Sequence, residues 1–533
     1  MRIEKLILSG MVLVAIAGCD PGGVDLNVST TDNSIDNSTT TGGSSDSSPC
    51  AHYVDPATQA ERRGTFDGRN CTYGSDFVGG TNPLRTDLTI PFISGVHIFQ
   101  DKLFVGDSID NRTAGVAVPQ DGEGPILTVQ PGATIVFTDA ADYLLINRGS
   151  RIIADGTPGA PITFTGFTDA VTGTAGPEDV QLWGGVVIDG NGITNNCTDQ
   201  QRTDGTCAVV SEGQPTFYGG NNNGESSGVL RYVIIKHAGF EVATDDELNG
   251  LTLNAVGSGT ILENIEIYSA YDDGIEFFGG AANLSNVVMV YVKDDSLDFT
   301  DGYSGTIDHV LSIHSFESGN NCIELDNIGA ARSDAGQAFD LPPLTVPTIK
   351  NFTCIMSNKL AGTHGDSAGY RVRQGGLIHV ENSLVYAGYA HAEGAVGTAN
   401  NRCFRPESTT TLRDMQDSRA PTPLISIVNT VFACEVVTTG ALPNAVTFTD
   451  WLAGTGDYAF NTGNVQITDI GNANVSLLEP GTYYTATSLT DAAGNPIPVP
   501  ADGLGAVTRN NDWTQPWAYG LRAGNRGQPL WFE

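Results

Sequence analysis

Apolar residues fall in short runs along most of this chain. Leu127-Thr128-Val129 leads through Gln130-Pro131-Gly132 into Ala133-Thr134-Ile135-Val136-Phe137, and Tyr143 to Ile146 is followed across Asn147-Arg148-Gly149 by Arg151 to Ala154. Ala160 to Thr165 repeats the pattern. Each run alternates or is wholly apolar and stops at Gly, Pro, Asp or Asn, which is how short strands and their turns read. No window of about 12 residues or more carries a helical period, so the pattern predicts an all-β chain.

The runs also recur in step. Asn264-Ile265-Glu266-Ile267 returns 22 residues later as Asn286-Val287-Val288-Met289, with further copies at Asn351-Phe352-Thr353-Cys354, Asn429-Thr430-Val431-Phe432 and, more weakly, Asn382-Ser383. A second register moves with the first: Asp272-Asp273-Gly274-Ile275-Glu276-Phe277, Asp294-Asp295-Ser296-Leu297-Asp298-Phe299 and Asn320-Asn321-Cys322-Ile323-Glu324-Leu325. A coil this short has an inside that only its neighbours can cover, so the repeat predicts a parallel solenoid with stacked Asn at one turn. Propeller blades need roughly 40 residues each and do not fit. Coils of this length resemble the right-handed parallel β-helix of pectate lyases and polygalacturonases.

A closer resemblance runs from Trp183 to Asp326. Leu182-Trp183-Gly184-Gly185-Val186-Val187-Ile188, Phe217-Tyr218-Gly219-Gly220, Leu230 to Gly239, Glu247 to Leu253 and the Asp-Asp-Gly-Ile-Glu-Phe-Phe-Gly-Gly run occur in order. Together they resemble a large family of bacterial secreted or lipid-anchored β-helix proteins, mostly without assigned function. The resemblance implies export and fold and supplies no catalytic residues.

Strand alternation places the chemistry. With Ile275 and Phe277 facing inward, Glu276 faces out. Stacking the coils about 4.8 Å apart gives one outward column of Thr252, Glu276, Asp298, Glu324 and Arg371, and a second of Asn254, Phe278, Thr300, Asp326 and Arg373. Asp272, Asp273, Asp294, Asp295 and Asp301 add carboxylates at the adjoining turns. Like charges stacked so closely repel. Four compensations stay open: a hard cation such as Ca²⁺ held by Glu276, Asp295, Asp298, Asp301 and Glu324; pairing to Arg371 and Arg373; a shared proton making a general acid; or a solvated face screened by salt.

Asp272, Asp273, Asp294, Asp295, Asp298, Arg371 and Arg373 are also the catalytic candidates. Polygalacturonase-like hydrolases place paired Asp on consecutive coils ahead of a basic strand, and the order here is similar. Their Gly-His-Gly element is missing: Ser318-Gly319-Asn320 stands there, and His364-Gly365-Asp366 comes later. A lyase base would be Lys293 or Arg371. His237 and His379 sit within apolar strands and read as structural.

The chain has 533 residues and a formal charge of −35, which excludes nucleic acid as a partner and favours cations. Arg2 and Lys5, a short apolar stretch and Ile16-Ala17-Gly18-Cys19 form a secretory signal. Its last four residues resemble the lipobox of bacterial lipoproteins, which makes Cys19 the expected lipidated residue. The expected location is the cell envelope, on the outer membrane or cell surface. Asp20 directly after Cys19 keeps the inner membrane as the alternative.

Setting Cys19 aside leaves Cys50, Cys71, Cys197, Cys207, Cys322, Cys354, Cys403 and Cys434, an even set in an exported chain. Neighbour pairing is the simplest expectation. The expected order is a signal over 1–18, a polar tether over 19–48, a disulfide-held lead-in over 49–90, the β-helix over 91–505 and an aromatic cap over 506–533. Trp513, Trp517 and Trp531 are read as covering the last coil, with a carbohydrate platform as the alternative. Insertions near 190–228, 326–348 and 391–425 are where a binding surface would be built. The expected function is a lipid-anchored protein whose acidic, Ca²⁺-binding face takes a glycan or envelope protein. The alternatives are a β-helix polysaccharide lyase or glycoside hydrolase, and a spacer or adhesin.

Overall fold

A computed structural model describes residues 48–533 apart from 245, 357–366, 388–401, 418–421, 469–476, 480, 491–493 and 501–502. The signal, Cys19, the tether, His364 to Asp366 and part of the 391–425 insertion lie outside the described residues.

Parallel strands stack coil on coil. One nine-stranded sheet runs through Leu103–Val105, Leu144–Ile146, Val186–Asp189, Leu251–Asn254, Ile275–Phe278, Leu297–Thr300, Ile323–Leu325, Ala368–Val372 and Arg402–Pro406. The other large sheet has 18 strands and bends along its length. The bend lies where the sequence repeats Asn: Asn264, Asn286, Asn351, Asn382 and Asn429 all have φ between 49° and 58°. Pairing skips that residue, so Glu263 meets Ser285 and Ile265 meets Val287 with the Asn between them left out. Asn tolerates this left-handed backbone better than other residues carrying a Cβ, and it turns each long strand through a corner. The coil thus has three faces around an apolar interior.

Inside, like stacks on like. Val233, Ile265, Val287, Val310 and Phe352 form one fully buried column. Towards the N-terminal end, Tyr73, Phe99, Phe137 and Trp183 stack with ring centroids 4.6, 5.9 and 5.0 Å apart. All four disulfides join sequence neighbours: Cys50–Cys71, Cys197–Cys207, Cys322–Cys354 and Cys403–Cys434. All but Cys197–Cys207 lie within the main buried core.

Two boundaries differ from the sequence reading. Parallel pairing begins before residue 91, because Cys71–Tyr73 pairs with His97–Phe99 and Leu88–Ile90 with Leu127–Val129. Turn-rich sequence between these strands hid the first coil. The C-terminal aromatics do not close the last coil either. That end is filled by the short helix Phe448–Leu452, whose Trp451 stacks on Phe404 at 5.8 Å and donates to the Met415 carbonyl at 3.0 Å.

The tail instead runs back along the flank. Trp517 meets Tyr232 edge-on, Tyr519 meets Tyr268, and Trp531 Nε1 donates to the His314 carbonyl at 2.8 Å. The physical reason is that outward positions such as Ile234, Val288, Val290, Leu311 and Ile355 are apolar, and the tail removes them from water.

Candidate functional site

The outward column predicted from alternation exists in register. Thr252 sits beside Glu276, Glu276 beside Asp298, Asp298 beside Glu324, and Glu324 beside Arg371. Arg405 extends it by one coil. The inward neighbours Ile275, Phe277, Leu297, Phe299, Ile323 and Leu325 are fully buried and fix which side chains face out.

A second line of residues, three positions earlier on each coil, explains why this column is unusual. Asn249, Asp273, Asp295 and Asn321 each accept, through one side-chain oxygen, the backbone N–H of the next coil: Asp273, Asp295, Asn321 and Ala368, at 3.0, 3.0, 2.5 and 2.9 Å. The two Asn also donate. Asn249 Nδ2 gives a hydrogen bond to Glu276 Oε2 at 2.6 Å and Asn321 Nδ2 one to Glu324 Oε2 at 2.9 Å. Once ionised, as cation binding requires, the carboxyls of Asp273 and Asp295 have no proton to donate. The middle rungs therefore replace a donor by an acceptor, and Asp298 Oδ1 is left buried with no hydrogen-bond partner.

The carboxylates gather at those middle rungs. Three trios place one oxygen of each member within 4.8 Å of the others: Asp272, Asp273 and Asp294; Asp273, Glu276 and Asp298; and Asp295, Asp298 and Glu324. Burial, followed by the charges of their neighbours, pushes Asp272, Asp273, Glu276, Asp295 and Asp298 well above the usual carboxylate range.

The insertion near 190–228 deepens that burial. It brings Glu212 to Glu276, and burial pushes Glu212 up to about 7. Ser211 Oγ accepts from Asn254 Nδ2 at 2.7 Å, and the Gly213 N–H is held by Asp246 at 2.6 Å. An all-oxygen donor set with an orphaned buried carboxylate oxygen fits a hard cation.

The basic end of the column is already engaged. Arg371 pairs with Glu324 at 2.9 Å and Glu407 at 3.2 Å, and Arg373 pairs with Asp326 at 2.8 Å and with Glu324. Burial still pushes Asp326 up to about 6 against the pull of Arg373. Asp301 stands apart from the trios: it sits in a left-handed turn and pairs with Arg332 at 2.8 Å. Its carboxylate therefore has its own counter-ion and is not gathered with the other metal candidates.

Lys293 is committed to Glu178 at 2.9 Å. His237 bonds the Asp179 carbonyl and His379 the Ser426 hydroxyl, at 2.6 and 2.9 Å. Sequence reading missed Glu212, Asn249, Asn321 as a donor, Arg405 and Glu407. For the two Asn the signal was available, since Asn249-Thr252, Asp273-Glu276, Asp295-Asp298 and Asn321-Glu324 share one spacing.

The family model of the pectate-lyase-like β-helix domain matches residues 115–456, well over half of the chain. No curated protein and no solved structure matches it. With the parallel coils and the buried ladders on the same residues, the chain belongs to the pectate-lyase-like β-helix domain family.

Proposed function

We propose that the acidic column binds a divalent cation, Ca²⁺, and that the loaded face engages a glycan or another envelope component. The chain itself is proposed to be anchored in the envelope through lipid on Cys19, which labelling with a tagged fatty acid reads directly. The observation that carries the cation reading is the Asn-Asp-Asp-Asn ladder. At its two middle rungs, donors are replaced by carboxylates just where three carboxylate trios meet. Ca²⁺ takes six to eight oxygens with flexible geometry, which suits carboxylates held by strands and turns rather than by a dedicated loop.

A ligand that binds only the folded state stabilises it by mass action, by about 2.7 kcal/mol at a hundredfold excess over Kd. Chelation should therefore lower the melting temperature and added Ca²⁺ restore it. The double change Asp295→Ala and Asp298→Ala should abolish that response. An unchanged melting curve with chelator, in a protein shown free of metal, sinks the proposal.

A second reading, a β-helix enzyme that cleaves polysaccharide, is supported by the paired carboxyls Asp272-Asp273 and Asp294-Asp295 on consecutive coils. Carboxyls held protonated near neutral pH can act as general acids. A panel of acidic and neutral polysaccharides separates the readings. Under this one the double mutant loses turnover, while its melting temperature stays level or rises.

A further inference from the structure

We infer that the end of the chain, Asp512 to Glu533, is a releasable strap: the Glu266 carboxyl latches it over the apolar flank while protonated, and loss of that proton lets it lift. The strap is braced within itself. Arg522 pairs with Asp512 at 3.2 Å, Asn525 Nδ2 donates to the Ala518 carbonyl at 2.8 Å, and Arg526 holds Glu533 at 2.7 Å. Its hold on the coils is slighter, since among the described residues no part of it joins a coil as a strand. It crosses to them through Tyr519 N–H to Glu266 at 2.7 Å, Gln528 Nε2 to Glu178 at 2.6 Å and Trp531 Nε1 to the His314 carbonyl at 2.8 Å. Trp517 and Leu521 add apolar packing.

The latch is a carboxyl in a place that does not suit a carboxylate. Glu266 is fully buried, and the residues paired directly with it on the two adjacent coils are Ile234 and Val288. One of its oxygens takes the Tyr519 N–H and the other has no partner. The nearby cations are engaged elsewhere. Lys236 Nζ pairs with Asp169 at 2.9 Å and is capped by the Tyr519 ring, 4.1 Å away, while Arg522 belongs to Asp512. A carboxylate sealed here would give up its hydration for one N–H and no ion pair. Lifting the strap returns water to it by a local opening that leaves the coils folded.

Burial raises the Glu266 carboxyl from 4.5 to about 8. It also raises Tyr268 and Tyr519 above 10 and lowers His237 below 6.5. Against the same effect of burial, Lys236 keeps Asp169 low, and Ser315 and Lys293 keep Glu178 low. From 6.5 to about 8, Glu266 is therefore the group among these that changes charge. Under the strap it keeps its proton to about 8, and in water it has already lost it. Opening thus releases one proton over that interval, and the open fraction rises about tenfold per pH unit.

Amide hydrogen exchange of peptides from the strap, read by mass spectrometry in the wild type and in Glu266→Gln at the same pH, isolates the latch. The chemical exchange rate is common to both proteins, and the glutamine keeps an acceptor for Tyr519 with no proton to lose. The ratio of wild-type to variant exchange in the strap should climb about tenfold per unit from pH 6.5 to about 8. Peptides from the coil strand Thr306–Ile313 should exchange equally in the two proteins. If Glu266→Gln does not fold, Glu266→Leu, matched to the apolar Ile234 and Val288 beside it, takes its place. A strap ratio that does not change with pH overturns the inference. So does a rise shared by Thr306–Ile313, because the coils would then be unfolding with the tail.

Discussion

Glu266 shows at the level of one residue how a flank can control stability. It occupies an outward position whose stacked neighbours are Ile234 and Val288, and the tail seals it from solvent. One carboxyl oxygen accepts the Tyr519 N–H at 2.7 Å and the other has no partner. Burial pushes the carboxyl up to about 8, against the weaker pull of Lys236 and Arg522.

The consequence for pH follows from linkage. Below the ordinary value of 4.5 both folded and unfolded chains hold the proton, and the contribution is fully present. As pH rises towards 8 the unfolded chain releases it first, and stability falls. Glu266→Gln keeps the acceptor for Tyr519 and has no proton to lose. It should be more stable than the parent by about 1–3 kcal/mol at pH 8, taking about 1.4 kcal/mol per unit and a partial discount, with little difference near pH 4. Urea unfolding at both values reads this, and a gap that does not grow with pH contradicts it.

At the scale of the element, the corner residues decide whether a coil can turn. Asn286 holds φ 58° within the strand Asn283–Val290. A β-carbon in that backbone costs roughly 1–2 kcal/mol per residue, which Asn partly escapes and Gly does not meet. Asn286→Ala should therefore destabilise by about 1 kcal/mol, and Asn286→Gly by less. Thermal unfolding of the pair distinguishes backbone strain from lost side-chain bonding, since equal losses would point to the amide group.

The sequence showed these corners because Asn recurs there, but it did not show all of them. His309 and Tyr232 take the same left-handed backbone, at φ 56° and 50°, without the Asn signature. Pairing of the residues on either side with the next coil, Arg231 with Glu263 and Val233 with Ile265, and Asp308 with Lys350 and Val310 with Phe352, holds these corners where local preference would not.

For the whole molecule, the returning tail is what makes the flank soluble. Tyr268, Val290, Leu311, Ile313 and Ile355 face outward beneath Leu504, Val507, Trp517, Leu521 and Leu530. Ending the chain after Val499 should expose that strip, raise the binding of an apolar dye and promote association. Sedimentation together with dye fluorescence checks it. A truncated chain that stays monomeric and dark would show that the coils protect their own flank.

The period of 22 residues and the alternation within it determined the solenoid, the identity of the inward residues and the order Thr252, Glu276, Asp298, Glu324, Arg371 along one face. These properties are local, because a strand one residue out of step would turn its apolar side chains to water. Neighbouring coils likewise brought neighbouring cysteines together.

Tertiary structure alone decided what covers the outside. Glu212 comes to Glu276 from an irregular insertion, and Tyr519 reaches Glu266 across 253 residues of sequence. Neither segment carries a period that names the face it meets. Whether the carboxylate column is a solvated surface or a buried, charge-deficient site is set by those covering segments, since burial rather than proximity alone is the largest influence on its carboxyls.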